Sequence, residues 1–325
     1  MDPQMTLGQK LRKARLSLGM TQEELAGDDF TKGFISLVEL DKAKPSLESL
    51  TLLAARVNKP LTYFLEDRLE TARDIDLRRR LGEAQLLAGE QEEAARELEE
   101  AMAMSRRLGD PVRSAASKAG LGMLRFYLGD YDEAAALFSG SVDEFQESGA
   151  LGEAARTTFW LGCVYHRQGK VSQAVEVYLS ALRLADQARV EDHDFRLRLT
   201  ANLANACLKV GALDEAERLF LEAAGVAEMV KDLPALGKSY MGLGLLHRER
   251  GDVDRALEYT TRALELFHLH DDLRLMADVH NNLGLLLAER GRWEEAYVHY
   301  QESLRLRDGA GDETRKAYTF TELAR

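Results

Sequence analysis

LGMLRFYLGDYDEAAALF, residues 121–138, contains the pattern that organises most of the chain. A Leu-small pair (Leu121-Gly122) is followed by Gly129, then by Ala134 five residues on, then by the large Phe138. The Gly-x-x-x-x-Ala element recurs as Gly89–Ala94, Gly169–Ala174, Gly211–Ala216, Gly251–Ala256 and Gly291–Ala296. Successive alanines are 40, 40, 42, 40 and 40 residues apart. Twelve residues ahead of each alanine stands a small residue: Gly82, Gly122, Gly162, Ala204, Gly244 or Gly284. Leucine always precedes it, as Leu81, Leu121, Leu161, Leu203, Leu243 or Leu283.

A register of this kind predicts repeated helical hairpins. Two antiparallel helices approach closely only where side chains are small, so the small residue marks the crossing of helix A with helix B. The glycine ahead of the alanine ends helix A, because it accepts a left-handed conformation at no steric cost. The acid after it, as in Gly129-Asp130 and Gly251-Asp252, is expected to help the turn and the next helix N-terminus. Leu98, Phe138, Tyr178 and Phe220, four residues past their alanines, are expected to fill the space between neighbouring repeats. These residues resemble the tetratricopeptide repeat over about residues 75–325. The period is longer than the usual ~34 residues and is similar to the long-repeat variety seen in kinesin light chains and in bacterial peptide-sensing regulators. One further step of the register lands on Leu323-Ala324, so Thr314 to Arg325 is expected to be the first helix of a seventh repeat. Two readings stay open for it: a cap on the superhelix, or the start of something longer.

Ahead of the repeats, five short helices fit into residues 5–67. Thr6-x-x-Gln9 and Thr21-x-x-Glu24 read as capping boxes. Leu7, Leu11, Ala14 and Leu18 recur at helical spacing, and Gly19 ends their helix. Thr31 is placed to cap a helix carrying Phe34, Ile35 and Val38, and Ser46 one carrying Leu50, Leu53, Ala54 and Val57. Asn58 suits a left-handed cap, and Leu61, Phe64 and Leu65 close the core. Leu61 to Arg80 contains neither proline nor glycine, so the last helix of this domain can lead directly into the first repeat.

Met20-Thr21-Gln22-Glu23-Glu24-Leu25-Ala26, with Phe34, Ser36, Glu39 and Pro45-Ser46, resembles the Cro/repressor-type (Xre-like) helix-turn-helix family. The resemblance implies that the helix opening at Thr31 enters the major groove by its N-terminal residues. It places Lys32, Gly33 and Leu37 toward bases, with Thr31 and Ser36 beside them. Lys32 can donate to a guanine edge, Leu37 can only touch a thymine methyl, and Gly33 offers no side chain. Gln22 matches the family's phosphate-holding glutamine, and Lys42 and Lys44 lie where backbone contacts set register. Arg15 and Glu39 match an internal salt bridge. The family's basic residue and glycine after that glutamate are here Leu40 and Asp41, of which Asp41 can still take up the turn conformation.

Charge agrees with this division of labour. Residues 1–65 hold 9 Lys/Arg and 8 Asp/Glu, while the whole chain carries −12, so the remaining 260 residues carry −13. An acidic body repels nucleic acid, which leaves the first 65 residues to bind it. Proline is scarce, at 5 residues in 325, as suits helices with few breaks. No apolar run approaches the ~18 residues of a membrane span, and Met1 to Lys10 lacks a signal-peptide core. Cys163 and Cys207 have neither metal nor disulfide spacing, and the histidines share no metal register. There is no phosphate loop, dinucleotide fingerprint, HExxH or nucleophile elbow. A cytoplasmic, non-enzymatic protein without a cofactor is expected.

In tetratricopeptide repeats helix A lines the inner surface. Resemblance assigns the groove of repeats three to six to Arg156, Phe159, Cys163 and His166, then Arg198 and Asn205, then Lys238, Met241 and Arg248, then Asn281. Arg156, Arg198 and Lys238 share one register position and are expected to draw an acidic or free-carboxylate ligand. Asn205 and Asn281 can pair with peptide groups. Phe159 and Met241 supply apolar contact, while Cys163, Trp160, Trp293, Asn202 and Asn282 read as packing.

The fold expected is all-α: a five-helix helix-turn-helix domain (residues 1–67) followed by a right-handed tetratricopeptide-repeat superhelix of six repeats plus a terminal helix (residues 68–325). This combination resembles the RRNPP peptide-sensing transcription regulators of Gram-positive bacteria. The resemblance implies a homodimer that binds double-stranded DNA and is tuned by an imported peptide in the repeat groove, in the manner of quorum sensing. Two alternatives stand beside it. One is a scaffold whose repeats grip a partner protein and which DNA binding localises; the other is a sensor module whose effector lies beyond Arg325.

Overall fold

The computed structural model describes residues 5–312, 315–316 and 319–320. Sixteen helices and no strand are found among these residues. The chain divides into two compact units that part between Gly120 and Leu121.

The first unit opens with four short helices: α1 (Leu7–Ser17), α2 (Gln22–Ala26), α3 (Lys32–Glu39) and α4 (Leu47–Arg56). Each start is fixed by a hydroxyl. Thr6 and Thr21 form full capping boxes with Gln9 and Glu24, Thr31 accepts from Phe34 N–H, and Ser46 accepts from Ser49 N–H. Each cap supplies one orphan amide with a partner, worth about 1 kcal/mol. Gly19, Asp41 and Asn58 take positive φ at the turns, at 69°, 56° and 50°. Leu11, Ala14, Leu25, Ile35, Val38 and Leu53 form the buried centre, closed by Phe64. Leu18, expected on the same stripe, is instead the C-cap of α1 and exposed, because the stripe ends where the helix does. Gly8 allows α1 to touch α3: a Cβ there would lie 2.4 Å from the carbonyl oxygen of Val38. The Leu65 side chain lies outside the described residues.

The expected fifth short helix is not a separate element. One helix, α5 (Leu61–Ala88), runs 28 residues from the small domain into the first repeat, so the fifth helix and the first helix A are the same rod. It ends at Gly89 (φ 84°) and packs against α6 (Gln91–Leu108). Leu98 of α6 fits two small positions. A Cβ on Gly82 would stand 2.7 Å from its side chain, and one on Gly120, in α7 (Pro111–Leu128), also 2.7 Å.

The second unit contains α8 (Tyr131–Glu147), α9 (Leu151–Arg167), α10 (Val171–Gln187), α11 (His193–Lys209), α12 (Leu213–Val230), α13 (Leu233–Glu249), α14 (Val253–His268), α15 (Leu273–Glu289) and α16 (Trp293–Ala310). From α8 on, each helix packs against the next, and α11 also touches α9 and α13, so helices A lie side by side. The long period goes into helix length: α9 and α10 each have 17 residues, joined by a tight turn. The repeat glycines take the left-handed conformation expected of them, from φ 73° at Gly291 to 86° at Gly129. The large residues of helix B wedge against the small residue of their own helix A, as Phe138 on Gly122, Tyr178 on Gly162 and Tyr300 on Gly284. Phe220 reaches forward to Gly242 of the next repeat. The wedges therefore close both the hairpin and the repeat junction, not only the latter. Asp252 caps its helix through Arg255 N–H, but Asp130 makes no side-chain cap. Asp192, Asp232 and Asp272 cap helices α11, α13 and α15 instead. Leu323-Ala324 and most of the expected seventh helix lie outside the described residues.

Candidate functional site

The helix-turn-helix surface is built on a buried ion pair. Arg15 grips Glu39 bidentately, Nε to Oε1 at 2.6 Å and Nη2 to Oε2 at 3.0 Å, and its Nη1 donates to Met20 O at 2.6 Å. Gln22 Nε2 adds a bond to Glu39 Oε2 at 2.8 Å. Burial alone would raise the Glu39 carboxyl, but the Arg15 and Gln22 hydrogen bonds and the Arg15 charge outweigh it and hold it below the usual carboxylate range. The pair ties α1 to α3, and Gln22 ties α2 to the same carboxylate. The internal role expected for Arg15 and Glu39 is what the geometry shows. Gln22, expected at a phosphate, spends its amide nitrogen inside the domain.

Around this frame the N-terminal turn of α3 is open. Thr31, Lys32, Gly33 and Leu37 are exposed, and Ser36 is half-buried beside them. Lys32 lies 3.6 Å from Glu23, a solvated contact of small energy. The φ of Asp41 lets the chain turn after Leu40, and its carboxylate accepts from the Thr6 hydroxyl and from Gly8 N–H. Lys42 and Lys44 follow, both exposed.

In the second unit the candidate groove residues separate into engaged and open ones. Arg156 pairs with Asp192 at 2.8 Å and lies over the Phe195 ring at 4.9 Å. The Phe195 N–H bond leads the groups holding the Asp192 carboxyl low, with the Arg156 contacts adding to it. Arg248 pairs with Glu289 at 2.7 Å. Phe159 is buried, its ring edge-on to those of Trp160 and Phe195 and tilted against that of Tyr178. Asn205 donates to Ala201 O, and His166 Nε2 accepts from Lys209 Nζ at 2.8 Å. Burial, then Lys209, lowers the His166 pKa, so it stays neutral. Met241 is half-buried, and Asn281 is buried with no partner for its Oδ1 among the described residues.

Arg198 and Lys238 remain exposed, without an ion pair among the described residues. Both line a cavity of about 460 Å³ between α11 and α13, floored by Leu197 and Ala223. Asp194 and Asp232 line it too, so the strip read as basic is mixed in charge at this point. The caps Asp192 and Asp232 were not singled out from sequence; an Asp three residues ahead of Phe195 and of Ala235 was the available signal.

Cys163 is shielded, and burial pushes its thiol up to about 11, as suits a filler and not a nucleophile. Trp160 packs among Phe126, Phe138 and Phe159 as expected. Trp293 does not: it is 63% exposed on α16. Among the described residues no cluster of His, Cys, Asp or Glu can hold a metal ion, and no helix is long and apolar enough to cross a membrane.

Comparison with known proteins agrees with this architecture. The chain matches the helix-turn-helix family over residues 11–64. It matches tetratricopeptide repeats over residues 113–187 and 195–267, and again over 241–311, together more than half of its length. It is 26% identical over 148 residues to the transcriptional activator NprA of Geobacillus stearothermophilus, covering 45% of this chain and 36% of NprA. The match thus spans little more than a third of that relative. Among solved structures, BtubC (BKLC) from P. vanneervenii is similar at TM-score 0.59 and 25% identity, over 70% of this chain and 92% of that one. The apo form of RapI shares the fold at TM-score 0.59 and 14% identity, over 96% of this chain and 79% of that one. An Xre-like helix-turn-helix in front of stacked helical hairpins places the chain in the tetratricopeptide-repeat family, among its members with an N-terminal helix-turn-helix domain.

Proposed function

We propose that the protein is a transcription regulator: residues 1–67 bind double-stranded DNA, and the repeats of residues 68–325 sense a peptide. The observation that carries the reading is the open N-terminal turn of α3, with Lys32, Gly33 and Leu37 exposed and Ser36 half-buried on a scaffold locked by Arg15 and Glu39. Lys32 reads a base edge, and Lys42 and Lys44 hold phosphates. The likeness to the transcriptional activator NprA supports regulation of transcription. The protein acts in the cytoplasm as a homodimer on paired half-sites, the usual use of this motif.

The peptide half of the reading rests on Arg198 and Lys238 at a concave cavity between neighbouring helices A. A free carboxylate there gains charge-assisted contacts. Coupling of about 1–3 kcal/mol between peptide and DNA is the ordinary size for such a switch. The scaffold reading differs in expecting a partner protein and no peptide effect on DNA affinity.

The test has two arms. Gel-shift selection from genomic fragments should yield a site bound by the full chain but not by a fragment lacking residues 1–67. On that site Lys32→Ala weakens binding, and joint replacement of Lys42 and Lys44 by Ala removes two phosphate contacts from each protomer and reduces the salt slope of the dimer by about 4. Calorimetry with acidic peptides should separate wild type from Arg198→Ala with Asn205→Ala. Unchanged site binding by the truncated fragment refutes the first arm, and equal peptide affinity of the two proteins refutes the second.

A further inference from the structure

Four glycines lie in residues 1–67, and the fold explains three of them. A Cβ on Gly8 would strike the Val38 carbonyl oxygen at 2.4 Å. Gly19 and Gly27 take positive φ, at 69° and 50°, and a Cβ on Gly27 would also meet the Arg56 guanidinium at 2.9 Å. Gly33 is the exception. It sits at the second position of α3, outside the left-handed region. Among the described residues a Cβ there would meet only Thr31 Oγ1, at 3.9 Å, an ordinary contact distance. Neither packing nor backbone requires glycine at this position, and alanine would favour the helix. What a missing side chain still offers is close approach by a group from outside the chain. Leu37 stands four residues on, and so on the same face of α3. It is 45% exposed, while Ile35 and Val38 on the opposite side fill the core. The outward face of α3 thus presents bare backbone at Gly33 and an isobutyl group one turn further along, with Lys32 and the half-buried Ser36 beside them.

We infer that this face selects DNA by the 5-methyl groups of thymine, with Gly33 as the residue that admits the base edges and Leu37 as the one that touches the methyl. The inference rests on the DNA reading above and says what α3 distinguishes once it lies in the major groove. Base edges there carry hydrogen-bonding groups, and the thymine methyl is their one apolar projection. A leucine set against a carbonyl, an amino group or a ring nitrogen strips water from it and returns no hydrogen bond. Set against a methyl it removes apolar surface from water on both sides. Without a Cβ at Gly33 the α3 backbone settles against the base edges, and Leu37 comes within reach of them.

The probe is a DNA duplex selected by the full-length protein from a random-sequence library. Each thymine of that duplex is then replaced in turn by deoxyuridine, which lacks only the 5-methyl group. Replacement of a thymine that faces Leu37 should weaken binding about fourfold for each methyl lost, the contribution of one buried carbon group. Leu37→Ala should bind the thymine and deoxyuridine duplexes equally, because the contact is already gone. Gly33→Ala, for which the protein has room, should melt no lower than the parent yet bind the duplex at least about fivefold more weakly. Deoxyuridine tolerated at every position, a thymine preference that survives Leu37→Ala, or parental affinity in Gly33→Ala would each overturn the inference while leaving DNA binding in place. Failure of the full-length protein to select any duplex is a separate result: it refutes the DNA reading, and this inference with it.

Discussion

The wedge at Gly162 lends itself to a quantitative test. A Cβ added there would stand 2.5 Å from both Cδ1 and Cε1 of Tyr178. Carbon atoms rest at about 3.5–4.0 Å, so helix or ring must yield by about 1 Å. Tyr178 has no slack to give: it is 1% exposed, its ring leans on Phe159 at 5.9 Å, and its hydroxyl donates to Cys163 Sγ at 3.5 Å. Overpacking of this kind costs roughly 1–3 kcal/mol, while alanine regains up to about 1 kcal/mol of helix propensity. Gly162→Ala should therefore destabilise by about 1–2 kcal/mol net. Gly225→Ala, in α12 with nothing within 4 Å of the new Cβ, should stabilise by about 0.5–1 kcal/mol. The same substitution thus takes opposite signs at two helical glycines. Pairing Gly162→Ala with Tyr178→Leu should cost less than the sum of the two, with a coupling of about 1–3 kcal/mol. Urea unfolding followed by circular dichroism and by Trp160 fluorescence, in a Trp293→Phe background, measures this. The local probe matters because repeat arrays need not unfold in one step. An unfolding midpoint raised by Gly162→Ala, as by Gly225→Ala, would refute the packing argument.

Two further outcomes follow from buried charge. Glu39→Ala leaves the Arg15 guanidinium buried without its partner and should cost about 3–5 kcal/mol; thermal melts should show the small domain lost while helical signal from the repeats persists, and a melt like wild type would contradict this. At the other end, His280 and His299 share a hydrogen bond of 2.9 Å, and burial, then the neighbouring His299, lowers the His280 pKa to about 4. Glu302 works against the shift, while His268 and Arg305 add to it. A folded pKa below the unfolded ~6.5 means that the unfolded chain binds the extra proton, so stability is full above about pH 6.5 and falls toward pH 4. The loss should reach about 2 kcal/mol by pH 5. Urea midpoints at pH 7.5 and 5 measure it, and His280→Gln should flatten the difference.

The periodic features of this fold were legible because they obey single-residue constraints. A glycine that must take positive φ, a small residue that must admit Tyr178 or Phe138, and a hydroxyl three residues ahead of an amide each leave a mark in the sequence. What depends on partners left none. Arg156 looked like one of three equal cations until Asp192, 36 positions on, was seen to neutralise it. Arg248 and Glu289 tell the same story across a full period. Leu18 kept the spacing of a core residue, but the helix stopped short of it. Trp293 had the size of a packing residue, and its exposure follows from its place at the first position of the last described helix.

The continuity of α5 also sets a rule of phase. A helix turns about 100° and advances about 1.5 Å with each residue. Inserting one residue between Asp67 and Asp76 would therefore swing the small domain by more than a quarter turn about the axis of the rod. Inserting seven, close to two full turns, would restore its facing and displace it by about 10 Å. A flexible tether would absorb either change without notice. Here the azimuth of the small domain about the first repeat is written in the residue count of one helix, so spacer length acts as an angular coordinate rather than a measure of reach.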